Sequence, residues 1–236
     1  MMRVMLVDDE PFARQELETL LREIGRCEIV ASCANAVEAL KVLNRTAVDL
    51  LFLDIQMPMI DGFEMLSMVD PARMPHVVFV TAYDEYALKA FEEKTLDYLL
   101  KPVEKARLEK TFGKLRGRIQ QPAPPPYAIP PLQHIPCFSG NRVRLVTPAE
   151  IEAVCADLSG VHLLLAHGEC FTELTLKVLS DRTPLRHCHR QYLINPDHIE
   201  AIQFLEQGLA EIRTKSGRVL PVSRRHLKRL KDWLGI

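Results

Sequence analysis

Apolar positions along the chain follow two rhythms, and the change from one to the other divides it. In the first half, short apolar runs alternate with stretches whose apolar residues recur every three or four places. The runs 3–7, 29–33, 50–53, 77–80 and 98–100 are too short for helices and rich in β-formers, which predicts strands. The run at 50–53 has no polar position at all and reads as buried on both faces. Between the runs, Leu17, Leu20, Leu21 and Ile24 stripe one face of a helix opened by Pro11. Val37, Leu40 and Leu43 mark a second helix, 62–69 a third and 85–91 a fourth, and Leu108, Phe112, Leu115 and Ile119 a last. Five β-α units of this kind describe an α/β fold, a five-stranded parallel sheet with helices on both faces.

The second half reads as short strands and turns: 142–146, 151–155, 161–165, 170–171, 199–204, 210–213 and 219–222, with one short helix over 173–179. Lys215-Ser216-Gly217-Arg218 suits a hairpin turn. Ser223 suits the N-cap of a closing helix with Leu227, Leu230 and Leu234 inward and Gly235 as its stop. This half is mostly β. Between the halves, residues 122–136 hold seven of the sixteen prolines. Proline fixes φ and removes a donor, so neither helix nor central strand is expected there, only a semi-rigid extended spacer. The expected division is a domain over 1–121, a spacer over 122–133 and a domain over 134–236.

Composition changes this picture little. Hydrophobic residues make up 47% and charged residues 26%, enough for packed cores. No apolar run approaches the roughly 20 residues of a membrane helix, and no signal peptide opens the chain, so a cytoplasmic protein without membrane insertion is expected. Cysteines 27, 33, 137, 155, 170 and 188 include no C-x-x-C pair and read as reduced thiols. Charge adds more. Residues 1–121 carry 16 Lys+Arg against 20 Asp+Glu, whereas 122–236 carry 14 against 11 and seven of the eight histidines. The second half therefore suits an anionic partner better than the first.

Candidate chemistry gathers where the first-half strands end. Asp8 and Asp9 follow strand one, Asp54 strand three, Thr81 strand four and Lys101 strand five. Open α/β sheets place their ligands at that edge. Three carboxylates together demand a compensating cation, and oxygen ligands favour a hard ion such as Mg²⁺. A carboxylate nucleophile, a metal and an opposing ammonium are the parts phosphoryl transfer needs. On Asp8, Asp9, Asp54, Thr81 and Lys101-Pro102, residues 3–119 resemble the receiver domain of bacterial two-component response regulators, whose fold is flavodoxin-like. The resemblance implies that Asp54 is the phosphoacceptor and takes phosphate from a sensor histidine kinase. It implies Mg²⁺ on Asp9, Asp54 and the Gln56 carbonyl, with Asp8 helping through water. Lys101 and Thr81 would meet the phosphate, Tyr98 would switch rotamer, and the Lys101-Pro102 bond would be cis.

In the second half, basic residues cluster at 182–190 and 224–231, the footprint of phosphate-backbone contact. No pair of adjacent helical periods supports a helix-turn-helix, and 137–236 holds neither a nucleophile–base pair nor a metal-ligand set, which argues against an enzyme. The strings Phe171-Thr-Glu-Leu-Thr-Leu, His187-Cys-His-Arg-Gln-Tyr-Leu-Ile-Asn195 and Pro221-Val-Ser-Arg-Arg-His-Leu resemble the LytTR-type DNA-binding domain. That resemblance implies a mostly-β LytTR-type domain whose loops enter the major groove of double-stranded DNA. Contacts would come from Gly160 and His162, from Arg190, and from Ser223, Arg224 and Arg225. The whole chain is similar to LytTR response regulators paired with membrane-bound, LytS-like kinases. The expected function is phosphorylation-controlled transcription regulation; the alternative is a receiver-controlled adaptor acting through protein contacts. A mixed-charge face over 85–118, with Lys89, Glu92, Glu93, Lys94, Asp97, Arg107 and Lys110, suits a homodimer formed on phosphorylation.

Overall fold

In a computed structural model, described for residues 1–82, 97–118, 131–139, 142–205 and 209–234, the chain forms two compact units, Met1–Ile129 and Pro130–Ile236. The expected helix at 85–91, with Lys89, Glu92, Glu93 and Lys94, lies outside the described residues. So do Ile119, the proline-rich residues up to 130, and Gly235.

The first unit carries strands β1 (Met2–Val7), β2 (Cys27–Cys33), β3 (Leu50–Leu53), β4 (His76–Thr81) and β5 (Asp97–Leu100). They pair in parallel in the order β2-β1-β3-β4-β5. Helices α1 (Pro11–Ile24), α2 (Ala36–Arg45), α3 (Gly62–Met68) and α4 (Lys105–Arg118) accompany the sheet. Local signals set their ends. Pro11 opens α1, and Gly25, at φ 66°, closes it by donating its N–H to the Leu21 carbonyl. Asn35 caps α2 by accepting from the Glu38 N–H, and Asp61 caps α3 by accepting from the Glu64 N–H.

Strand periodicity then sorts side chains to two faces. Val4, Leu6, Leu50, Phe52, Val78, Val80 and Leu99 pack with Leu17 and Leu21 of α1 and with Leu108, Phe112 and Leu115 of α4. Each fully buried leucine contributes roughly 1.5–3 kcal/mol, so this stripe is what holds α4 on the sheet. On the other face, Phe79 stacks against Phe63 of α3 at 4.8 Å between ring centroids. Because β1 lies between β2 and β3, the chain reverses direction across the sheet there. That reversal leaves a crevice at the C-terminal ends of β1 and β3.

The second unit holds a seven-stranded sheet of β6 (Ile135–Ser139), β7 (Arg142–Val146), β8 (Ile151–Asp157), β9 (Gly160–Leu165), β10 (Glu169–Thr172), β11 (Arg186–His189) and β12 (Tyr192–Ile194), in the order β11-β12-β8-β9-β10-β6-β7. A three-stranded sheet follows, β13 (Ile199–Phe204), β14 (Ala210–Thr214) and β15 (Val219–Val222), with helices α5 (Leu176–Arg182) and α6 (Arg224–Leu234). The two sheets share a core. Ala153, Leu164, Cys188 and Ile194 of the larger meet Ala210, Ile212, Leu220 and Val222 of the smaller, closed by Leu230 of α6.

Four expectations change here. Pro136 lies inside β6, which has a neighbour on each side, although the proline pattern excluded a central strand. The exception has a cause: β6 pairs with β10 only at Phe138–Phe171, so the donor that proline lacks is not required, and the Pro136 carbonyl accepts from the Thr172 hydroxyl at 2.8 Å. Leu132, assigned to the spacer, is buried, and its N–H donates to the Arg182 carbonyl. The short helix starts at Leu176 instead of 173 because Thr175 supplies its cap to the Val178 N–H. Strands β6, β11 and β12 were not anticipated; β11, Arg186–His189, holds a single apolar residue among polar ones, and β12 has only three residues. All six cysteines are free thiols. Among the described residues no helix is long and apolar enough to cross a membrane.

Candidate functional site

Four of the five strands of the first unit deliver a chemical group at or just beyond their C-terminal ends. The Asp8 N–H donates to the Cys33 carbonyl and the Asp54 N–H to the Val7 carbonyl, which places both carboxylates one step past β1 and β3. Thr81 ends β4 opposite Leu100, and Lys101 follows β5 directly. The Lys101-Pro102 peptide is cis. Lys101 Nζ lies 2.7 Å from Asp54 Oδ2, 2.8 Å from Asp8 Oδ2 and 3.3 Å from Glu10 Oε2. One carboxylate oxygen from each of Asp8, Asp9 and Asp54 lies within 4.8 Å of the other two. Glu10 was not anticipated at this site, although the run Asp8-Asp9-Glu10 carries the signal.

The electrostatics of this cluster are unbalanced. Burial lowers the tendency of Lys101 to hold its proton, but hydrogen bonds to Asp54 and Asp8 outweigh it and raise the pKa, so the ammonium stays charged. Burial pushes the Asp8 carboxyl up, although the bonds from Lys101 and the Glu10 N–H pull it down, and the Asp54 charge adds to the rise. One ammonium against this many carboxylates leaves negative charge uncompensated. Three hard oxygen donors in that arrangement fit a divalent cation such as Mg²⁺.

The remaining predicted residues stand around this centre. Gln56 is exposed in the loop after β3, and its N–H donates to Asp54 Oδ1 at 3.2 Å. Thr81 is fully buried, and its hydroxyl has no hydrogen-bond partner among the described residues. An unpaired buried hydroxyl costs about 1–3 kcal/mol, which an oxyanion arriving beside it would recover. Tyr98 is half-buried on β5. Gly62, where the third helix begins, has a packing reason: a Cβ there would lie 2.4 Å from the Asp54 carbonyl oxygen. Its N–H donates to the Ile55 carbonyl, which ties the start of α3 to the strand end that carries Asp54.

Asp97 departs from expectation. It was counted on an exposed mixed-charge face, yet its side chain is only 4% exposed. Arg107, Lys114 and the Thr111 hydroxyl all bind it at 2.7–2.9 Å. Asp97 and Arg107 therefore satisfy each other within the chain and are not free for a partner.

In the second unit, strand register brings the three predicted places to one end of the larger sheet. Tyr192 pairs with Cys155, and the Ala156 N–H donates to the Gln191 carbonyl. The turn bearing Arg190 thus lies beside the β8–β9 turn that precedes Gly160 and His162. Ser223 reaches the same region, since its N–H donates to the Cys188 carbonyl two residues from Arg190. Arg190, Arg224 and Arg225 are exposed and make no hydrogen bond or ion pair with the described residues. Arg224 and Arg225 occupy the first turn of α6, where a cation opposes the helix dipole by about 0.3–1 kcal/mol. Folding does not account for arginines there.

Histidines crowd the same place. The His187 and His226 rings are 5.7 Å apart, and Ser223 Oγ lies 2.7 Å from His226 Nδ1. Burial, then His187, Arg225, Arg229 and His189, lowers the pKa of His226. Gly160 and His162 behave differently from the arginines. Gly160, at φ 129°, leaves no room for a side chain, because a Cβ would lie 2.3 Å from the Phe171 ring. His162 is held by Ser159 Oγ at 2.8 Å and lies edge-on to Phe171, with its side chain 21% exposed.

A buried carboxylate that the sequence reading passed over joins the two sheets. Glu152 of β8, buried, accepts from Ser216 Oγ and from Thr214 Oγ1, and lies 3.7 Å from His198 and 3.9 Å from Arg218. Its signal was a lone charge in the run Ile151-Glu-Ala-Val.

Comparison with known proteins agrees with this geometry. The pattern of the response regulator receiver domain matches residues 4–112, and that of the LytTr DNA-binding domain matches 141–235. A response regulatory protein of Vibrio cholerae serotype O1 is 50% identical, over 100% of this chain and 99% of its own length. The transcriptional regulatory protein BtsR of Escherichia coli K12 is 46% identical over the whole of both chains. Among solved structures, the response regulatory domain of protein mrkE from Klebsiella pneumoniae shares 38% identity, covering 51% of this chain and 100% of that one at a TM-score of 0.46.

Proposed function

The chain belongs to the two-component response regulators that join a receiver domain to a LytTR DNA-binding domain, and from that premise we propose that Asp54 is its phosphoacceptor and controls binding to double-stranded DNA. The phosphoryl donor in this reading is a membrane-bound, LytS-like sensor histidine kinase, and the protein acts in the cytoplasm on DNA. The observation that carries the reading is the convergence of Asp8, Asp9, Asp54 and Lys101 on one crevice, with Thr81 at the end of the next strand.

An oxygen of the Asp54 carboxylate attacks phosphorus while the bond from phosphorus to the donor's leaving atom breaks, and that atom departs with the electron pair. Asp8, Asp9 and Asp54, with the Gln56 carbonyl, would hold Mg²⁺, which supplies positive charge to the non-bridging phosphoryl oxygens. Lys101, always protonated, holds Asp54 and Asp8 in place beforehand and transfers its contact to the phosphoryl group afterwards. Thr81 offers a hydroxyl left unpaired among the described residues, and Tyr98 on the neighbouring strand follows its movement. Phosphorylation shifts an existing equilibrium towards a homodimer, and two tethered DNA-binding domains then gain effective concentration on paired half-sites.

In the second unit, base edges would be contacted from three places, around Gly160–His162, at Arg190 and at Ser223–Arg225, and a guanidinium there can reach guanine O6 and N7 together. Labelling with acetyl phosphate and Mg²⁺ tests the first half of this reading: the native chain gains a hydroxylamine-sensitive acyl phosphate, and Asp54→Asn gains none. Undiminished labelling of Asp54→Asn overturns the assignment. Gel-shift titration of genomic fragments at two salt concentrations tests the second half, with steep salt dependence and retained sequence preference expected.

A further inference from the structure

We infer that Leu158, at the tip of the β8–β9 hairpin, reads DNA by packing against the C5-methyl group of a thymine in the major groove. The inference rests on the DNA-binding reading above and names the residue through which this hairpin carries it out.

Leu158 and Ser159 form the two-residue turn between β8 and β9. The turn is fixed from both sides. Asp157 Oδ1 accepts from the Ser159 N–H at 2.7 Å and from the Ser159 hydroxyl at 2.5 Å, and that hydroxyl also meets His162 Nε2. These bonds hold the carboxyl of Asp157 below the usual carboxylate range. On this rigid base Leu158 has a relative exposure of 109%, the highest of the large apolar side chains among the described residues. It buries nothing, so packing does not account for it. Turn chemistry does not account for it either, because Gly, Pro, Asn, Asp and Ser are the residues that favour turns.

The other positions of the hairpin are committed elsewhere. Phe171 excludes any side chain at Gly160, and His162 is spent on Ser159 and the Phe171 ring. Strand register sets the tip beside the Arg190 turn, at the sheet end where Arg224 and Arg225 also stand without partners. A duplex docked on those arginines meets Leu158 with a base edge. An aliphatic side chain gains only by removing apolar surface from water, and the C5-methyl of thymine is the apolar group that the major groove offers.

The test is a double cycle with the full chain. A duplex is first selected by the native protein from a random library, and its thymines are then replaced singly by deoxyuridine, which deletes only the methyl group. At one position in each half-site, deoxyuridine should weaken native binding about three- to fivefold, the value of one methyl-sized contact. Leu158→Ala should bind the thymine duplex as weakly as the native chain binds the deoxyuridine duplex, and should no longer distinguish the two. Leu158→Asn, which suits the turn, should behave alike and so exclude a folding effect. Equal binding of every deoxyuridine duplex by the native chain, or an undiminished penalty in Leu158→Ala, overturns the role of Leu158 while leaving DNA binding intact. Failure to select any duplex overturns the DNA-binding reading and this inference with it.

Discussion

In the first unit Lys101 faces three carboxylates within 3.3 Å, whereas in the second Arg190, Arg224 and Arg225 face solvent with no partner among the described residues. Both arrangements concentrate charge at one end of a sheet, but for different work. A site that handles a small anion and a metal must be organised before they arrive, because a buried group that moved during reaction would have to be desolvated again. A face for a polyanion gains by leaving its cations hydrated and mobile, since binding then releases counterions without first breaking internal pairs. Glu152 adds a third case, a buried charge that touches no site and ties two sheets together.

Mutations can break or sharpen that contrast. After the complete loss of labelling in Asp54→Asn, the largest effect falls on Glu152. Its removal strands Thr214 and Ser216 and leaves Arg218 uncompensated, so Glu152→Ala should lower unfolding free energy by about 2–4 kcal/mol in urea titrations. Undisturbed stability would mean that the two sheets are held by the apolar core alone. Arg225→Ala should do the reverse, costing about 1–3 kcal/mol in operator binding while leaving the melting temperature unchanged or slightly higher, as a cation leaves the helix N-terminus. A falling melting temperature would show that the arginine is structural and end the contrast.

Asp8→Asn sharpens it from the other side. Because the folded-state pKa of Asp8 lies above 3.8, ionisation there opposes folding, and the native chain loses stability as pH rises from 3.8 through that raised value. The amide variant should therefore be more stable at neutral pH, a gain that fades as pH falls through the raised Asp8 value and is gone below 3.8. It should also label more slowly with Mg²⁺. Equal stability at neutral and acid pH would deny the unbalanced charge at this site. The smallest effect belongs to Lys231→Ala, because Lys231 lies over the Phe204 ring at 4.4 Å and spends its charge there. Fluorescence anisotropy should show all duplexes weakened alike and by less than about 1 kcal/mol.

The parallel sheet was legible because buried strands leave uninterrupted apolar runs, and four of the five runs lead into a polar residue at one edge. Asp8, Asp54, Thr81 and Lys101 could be placed at one edge by that rule and by fold topology together. The second unit was less legible. Strand β11 shows no apolar run and β12 has only three residues, so neither they nor the alignment of their turn with the β8–β9 turn could be read.

By itself, then, the sequence determined which segments are strands or helices wherever an element was long enough to repeat, since local periodicity depends only on neighbours along the chain. It also determined the groups available at the strand ends. Tertiary structure alone decided which of those groups are already engaged. Asp97 is consumed by Arg107, Lys114 and Thr111, His162 by Ser159, and Gly160 is closed off by Phe171, whereas Leu158 and the three arginines stay open. Engagement is a matter of distance in space between residues far apart in the chain, and no spacing along the sequence encodes it.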